Sequence, residues 1–481
     1  LSDLVAVRGG GATPLVLGQL IDLDASVGGC GATPSLRKGR VEAISTAQFA
    51  GQQVMYAVQE VVETSPGAAD WHPPVVGGYQ SIDFNNFVNA FVTPASSVVG
   101  MQSTPDGSLG VTLTPPLLFT GAADLAATHF GAMTDLDLNG GVVVFFTPAV
   151  NALSPPASAV ATGLFQARDL FSAASCGGSN EGEILYLPVP DPTGAINSNV
   201  RAVSSVYQLA SSTIVHQYAH LTNATRRLYF NGAAPLEETW LDEALAYTLQ
   251  ELVFFNASAG ITPRSNVVLS TLTSGPFASL RVRDFNMYQN IMFGNLRDFL
   301  YQLSSSNGSR RAGPLRTVPY SPSATPTRHD VITRQYTVTF AFLRYMLDRK
   351  NTGDAALLNA LVNSSSNGAA NLQAVMNVSL EEWSRDFLVA AYTDDAGIAG
   401  IAPEYTTPSW NFRSVYSGLG GFPLVTLPLT NAVQTVFPLG SGGGSSFQRF
   451  GVAAGQVATV TLTQGGGAPT AQIRTAIVRT K

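Results

Sequence analysis

A chain of 481 residues with 45% hydrophobic content is long enough to bury a sizeable core and to form roughly two to four domains. Only 12% of it is charged, against roughly 25% in an average soluble protein, and the formal net charge is -6. Lysine occurs only at Lys38, Lys350 and Lys481, so no basic track exists that could neutralise phosphates, and nucleic acid is not an expected partner.

The longest apolar runs, such as Val142 to Phe146, fall far short of the ~20 residues that span a membrane, and no span is expected. The first residue is Leu1, as after removal of a signal peptide or after trimming. Residues 1–115 carry short alternating apolar stretches, among them Gln53 to Val58 and Leu109 to Leu113, separated by Gly, Pro, Ser and Asn; this spacing predicts an all-β module. His72, in Trp-His-Pro-Pro, reads as a loop histidine without a metal partner nearby. Cys30 and Cys176 sit in glycine-rich loops far apart in sequence. Nothing local demands a bridge, so they read as free thiols with one disulfide as the alternative.

From residue 116 the pattern mixes helix and strand. Asp135, Asp137 and Asn139 precede Gly140 in an arrangement like the start of a calcium loop, but the position for a bidentate glutamate is Phe146; an Asx-stabilised turn feeding the strand Val142 to Phe146 is the preferred reading, with calcium as the other. A second strand, Glu183 to Leu187, stops at a run of prolines. Residues 199–222 contain no Gly or Pro and place Val206, Leu209, Ala210, Ile214 and Ala219 on one stripe, which predicts a helix. A turn at Asn231 to Pro235 leads to a second predicted helix from Glu237 to Phe254. A Ser/Gly/Pro-rich surface loop is expected at 303–326, and helices at Thr333 to Arg349, Leu357 to Leu361 and Leu380 to Tyr392. Beyond residue 403, glycine-rich segments and strand-like runs such as Val457 to Thr463 predict a C-terminal β-module over 404–481.

The chemistry concentrates in His216-Gln217-Tyr218-Ala219-His220 and in Trp240-Leu241-Asp242-Glu243-Ala244. Four helical residues turn through about 400° and rise about 6 Å, so His216 and His220 project from one face on adjacent turns. A hydrolytic zinc site takes three protein ligands and keeps one position open; His216, His220 and Glu243 supply that set.

His-Gln-x-x-His followed by Glu-x-Trp-Leu-Asp-Glu-Ala resembles the paired zinc motifs of gluzincin metallopeptidases, and most closely those of the hyicolysin family. Val142 to Pro148, Gly163-Leu164-Phe165 with Asp169, and Glu183 to Tyr186 are also similar to that family's pattern, over about residues 120 to 395. The resemblance implies a central thermolysin/gluzincin-like metallopeptidase domain at 116–403; with the N- and C-terminal all-β modules read from the residue pattern, which lie outside the resemblance, the expectation is a multidomain α+β protein. The resemblance also implies one catalytic zinc on His216, His220 and Glu243, protein or peptide substrates lying along an exposed edge formed by Glu183, Ile184, Leu185 and Tyr186, and a secreted, periplasmic or cell-surface bacterial protein, expected to be a monomer. For the second oxyanion donor it implies Tyr336, or His329 as the alternative. Gln217 departs from the family, where a glutamate takes a proton from zinc-activated water and delivers it to the leaving amine. A carboxamide of the same shape cannot accept that proton, so this chain is expected to be a zinc metalloendopeptidase silenced at one position. An introduced substitution is the preferred origin, because the surrounding motif is intact. A natural pseudoprotease that binds peptides or surfaces is the alternative, and an adhesion or scaffolding protein without metal is the third reading.

Overall fold

In the computed structural model of the protein the described residues are 13–49, 53–67, 69–93, 121–156, 161–233, 235–304, 326–426, 447–471 and 473–480, with side chains of 302–304, 326–337 and 425–426 left aside. The fold is mixed α+β, built on one curled seven-stranded sheet. Strands β1 (Leu20–Asp24), β2 (Leu36–Ile44), β3 (Val54–Glu63) and β4 (Trp71–His72) are followed by helix α1 (Ser81–Val92) and helix α2 (Ala122–His129). Then come β5 (Gly141–Phe146), the short helix α3 (Pro148–Ala152), β6 (Leu164–Phe165) and β7 (Ile184–Leu187). The strand order is β1-β2-β3-β5-β7-β6, with β4 on β3. Pairs β1/β2 and β2/β3 are antiparallel, β3/β5 and β5/β7 parallel, and β6 returns antiparallel on β7.

Every residue of β5 is buried, which a strand achieves only when both sheet faces are covered. Its period-two alternation sorts the core. Val142, Val144 and Phe146 face the large helical layer, while Val143 and Phe145 join Leu23, Val41, Tyr56 and Tyr186 on the other face. That helical layer is led by α4 (Val203–Thr225) and α5 (Thr239–Ala257), which pack on each other. Tyr218 anchors the back of α4, its ring lying 4.8 Å from Phe91 of α1 and 6.1 Å from Phe49. The remaining helices are α6 (Leu269–Thr273), α7 (Ala278–Tyr288), α8 (Asn290–Ser304), α9 (Pro326–Lys350), α10 (Asp354–Val362), α11 (Gly368–Met376), α12 (Leu380–Thr393) and α13 (Phe412–Ser417). Arg344 of α9, fully enclosed, meets Glu251 of α5 at 3.2 Å and Asp348 at 3.2 Å, and also bonds Asp354 of α10. A buried cation is tolerated only with such partners.

Several expectations are corrected. Residues 1–115 are not all-β: Phe84, Phe87, Val88 and Phe91 recur at helical spacing in α1, and Asp83 accepts from the Gln80 backbone N–H at 2.8 Å to start it. Strands on both sides of the division expected at 115/116 share one sheet, since β3 pairs with β5 from Val54↔Gly141 to Gln59↔Phe146. The C-terminal stretch does not form a β-module among the described residues. Trp410, Val415 and Tyr416 are buried in the helical layer, and the Val457 to Thr463 run forms no strand, with a lone bridge, Gln464↔Gly467, just beyond it. Cys30 and Cys176 are joined in a disulfide across 146 residues, not left as free thiols. His72 belongs to β4 and its Nε2 meets Asp70 at 2.8 Å. The strand read at Leu109 to Leu113 and most of the loop read at 303–326 lie outside the described residues.

Candidate metal centre

Helix α4 runs unbroken for 23 residues and carries both histidines on the face turned toward α5. Their Nε2 atoms lie 3.1 Å apart. From the first full turn of α5, Glu243 brings Oε2 to 3.2 Å from His216 Nε2 and 3.9 Å from His220 Nε2. A tetrahedral ion with bonds near 2.1 Å keeps its donors about 3.4 Å apart, so this triangle has the size that zinc requires. The three side chains are mostly enclosed, with 13%, 10% and 24% of their surfaces exposed, which leaves one open side.

Each imidazole is held at its other nitrogen. Asp242 Oδ2 lies 2.7 Å from His220 Nδ1, and Asn223 Nδ2 donates to the second oxygen of that carboxylate at 2.7 Å. Gln250 Oε1 lies 3.2 Å from His216 Nδ1, and the Tyr247 ring packs 4.7 Å from the His216 ring. Burial works against a charged His220, but Asp242 and Glu243 outweigh it and hold the imidazole at about 9 when no metal is present. A metal ion held there at neutral pH would have to displace that proton from His220.

The open side faces a cavity of about 380 Å³. Gln217, His220 and Ala224 line it from α4, Asp242 and Glu243 from α5, Leu236 and Glu237 from the preceding loop, and Leu164 and Phe165 from β6 with Gly163 just before it. A Cβ on Gly163 would stand 2.4 Å from Thr213 Cγ2 and 2.9 Å from the Tyr186 carbonyl oxygen, so only glycine lets β6 lie this close to α4. The carboxylate of Glu237 is committed to Arg227, the Gly368 N–H and Asn371. That of Asp242 is committed to His220 and Asn223. Gln217 thus has no neighbouring carboxylate in the cavity that stands in for a glutamate, apart from Glu243 itself.

The expected peptide-binding edge is placed differently. Strand β7 is paired on both sides, by β5 and β6, and Ile184, Leu185 and Tyr186 are buried. The two-residue β6 ends the strand order and occupies the edge beside the candidate metal ligands; two residues carry no alternation that marks a strand. Glu183 is wholly buried and accepts from the Thr134 hydroxyl at 2.6 Å and the Leu136 N–H at 3.0 Å. Tyr336 and His329 fall on the first half of α9, whose side chains are outside the described residues.

The Asx turn before β5 is present, with Asp137 accepting from the Asn139 N–H at 3.2 Å and Asn139 from the Gly141 N–H at 2.7 Å. Asn139 donates its amide to Asp137, and the carboxylate that joins Asp135 and Asp137 is Glu183. Burial pushes Glu183 to about 7 and Asp137 to about 6. Both values lie above the ordinary 4.5 and 3.8, so the stability they contribute is complete below those ordinary values and is lost as pH rises through about 6 to 7. Thermal unfolding should therefore occur at lower temperature at pH 8 than at pH 5, and Glu183→Gln should flatten that profile; a variant profile as steep as the parent's removes Glu183 from the explanation.

No family model matches this chain. Over 128 residues it is 27% identical to neutral metalloprotease ShpI of Staphylococcus hyicus, a match that spans 27% of this chain and 27% of that protein's length. The relationship is distant and concerns a metalloprotease.

Proposed function

We propose that the protein is a zinc metallopeptidase of gluzincin type, related to the hyicolysin family, whose Gln217 leaves it able to hold metal and peptide but poorly able to cleave. The observation that carries this reading is the triangle of His216, His220 and Glu243 donor atoms, sized for a tetrahedral ion and open on one side to a cavity. The distant likeness to a neutral metalloprotease supports it. Zinc bound there supplies Lewis acidity, polarising a carbonyl oxygen and acidifying a water.

The chain's own groups do the rest. The outer edge of β6 offers backbone donors and acceptors to an extended peptide, a mode of capture that reads little side-chain sequence. Gln217, 8% exposed and lining the cavity, orients a water or a carbonyl through its amide but takes no proton. Secretion fits the disulfide, a bond that persists in oxidising compartments, and no described helix is long and apolar enough to cross a membrane. The second reading, a natural pseudoprotease that captures peptides, is favoured by Gln217 alone. Metal analysis after dialysis tests the core of the proposal: one zinc per chain is expected, lost when His216 and His220 are both changed to alanine, and a chain that retains no zinc rules the metal centre out.

A further inference from the structure

Gln250 lies seven residues beyond Glu243 on α5, two helical turns along the same face, and is 8% exposed. Its two amide atoms have different partners. Oε1 points at His216 Nδ1 from 3.2 Å, and Nε2 donates to the Ser212 carbonyl at 3.2 Å. Ser212 stands one turn before His216 on α4. Reversing the amide would set two oxygens against each other at Ser212 and two nitrogen-bound hydrogens against each other at His216. The Ser212 carbonyl therefore fixes which end of Gln250 the histidine meets.

An acceptor at Nδ1 places the imidazole proton there and leaves the Nε2 lone pair directed toward His220 and Glu243. His220 receives the same service from Asp242, which is itself fixed by Asn223. One helper is an anion and the other a neutral amide. We propose that Gln250 is the positioning residue for His216, and that the two imidazoles are deliberately unequal ligands, His220 backed by a carboxylate and His216 by an amide. This assignment rests on the reading of the cluster as a zinc centre. It goes beyond the ligand set, because it names what fixes the tautomer and ring orientation of the more weakly supported histidine.

The test compares the parent chain with Gln250→Met, which keeps length and bulk without an acceptor, and Gln250→Glu, which keeps the acceptor. Two quantities are measured: zinc affinity by competition with a chromophoric chelator, and protection of the His216 Nδ1 proton from solvent exchange, followed by NMR in the metal-free protein. The methionine variant should bind zinc about 10–100-fold more weakly and lose the protected proton, while the glutamate variant, although it turns an oxygen toward the Ser212 carbonyl, keeps the proton and binds more tightly than the methionine variant. A methionine variant with parental affinity and a protected proton overturns the assignment, as does a glutamate variant as weak as the methionine one. If the parent itself takes up no zinc, the zinc reading fails, and proton protection in the metal-free protein still decides the role of Gln250.

Discussion

Replacing Gln217 with glutamate should raise casein hydrolysis by about 10²–10⁴-fold over the parent chain at one bound zinc equivalent, the range that general-base catalysis contributes. The position is already built for a carboxylate. Gln217 follows the first metal-ligand candidate on α4, lines the cavity together with His220 and Glu243, and is 8% exposed. The exchange replaces one amide nitrogen by oxygen and adds no bulk, so the packing of Gly163 against the same stretch of α4 need not change. Of the other carboxylates among the described residues that line the cavity, Glu237 and Asp242 are each held by two or more partners and Glu243 belongs to the ligand triangle. Restored activity supports a protease silenced at a single atom. A glutamate variant that binds zinc and still leaves casein intact sinks the proposal of a silenced protease and favours peptide capture as the function.

Changing both Cys30 and Cys176 to serine should lower the stability against guanidinium by about 2–5 kcal/mol. The bridge spans 146 residues of sequence, and closing a loop of that length removes on the order of 5 kcal/mol of chain entropy from the unfolded state. Part of that contribution is duplicated by its surroundings, which sets the lower end of the range. Arg168, 4% exposed, meets Asp24 at 3.0 Å and bonds Ser26, while Gln166 accepts from the Gly28 N–H at 3.1 Å and donates to the Ser26 carbonyl at 2.9 Å. These contacts hold the loop after β1 against the residues that follow β6, so loss of the bridge should also loosen β6 at the end of the sheet. An unfolding midpoint unchanged in the serine variant shows that the polar contacts alone fix this loop.

What the sequence discloses follows the range of the interactions involved. His216, His220 and Glu243 are legible because helix geometry is local: a spacing of four sets two side chains on one face, and the third needs only a neighbouring helix. Helix α1 is equally local, in Phe84, Phe87, Val88 and Phe91 after Gln80 and Asp83, but its glycine- and proline-rich flanks mimic the punctuation of short strands. The edge role of β6 was not legible. Two residues carry no period, and only the antiparallel register Leu164↔Tyr186 and Phe165↔Leu185 makes them a strand. The resemblance places Glu183 on an exposed edge, and nothing in the residues corrects it, because β-propensity does not report which side of a strand is already paired. The same reason accounts for Val457 to Thr463, whose β-branched run finds no partner strand among the described residues. Gln250 belongs to no motif at all. Its meaning appears only when Ser212 and His216, on another helix, are seen at its two ends.

The parallel pairing of β3 with β5 bears on how the chain reaches its native state. Val54 must find Gly141, and Gln59 must find Phe146, across more than eighty intervening residues before the central sheet exists. Such long-range registration is slow, because the entropy of loop closure is spent before any contact rewards it. Until it is complete, β5 presents an unpaired Val-Val-Val-Phe-Phe edge, a sequence that readily joins another copy of itself. Strands β1 to β3, although remote from the histidines in sequence, thus act as the cover that keeps the half carrying His216 and His220 from self-association while it folds.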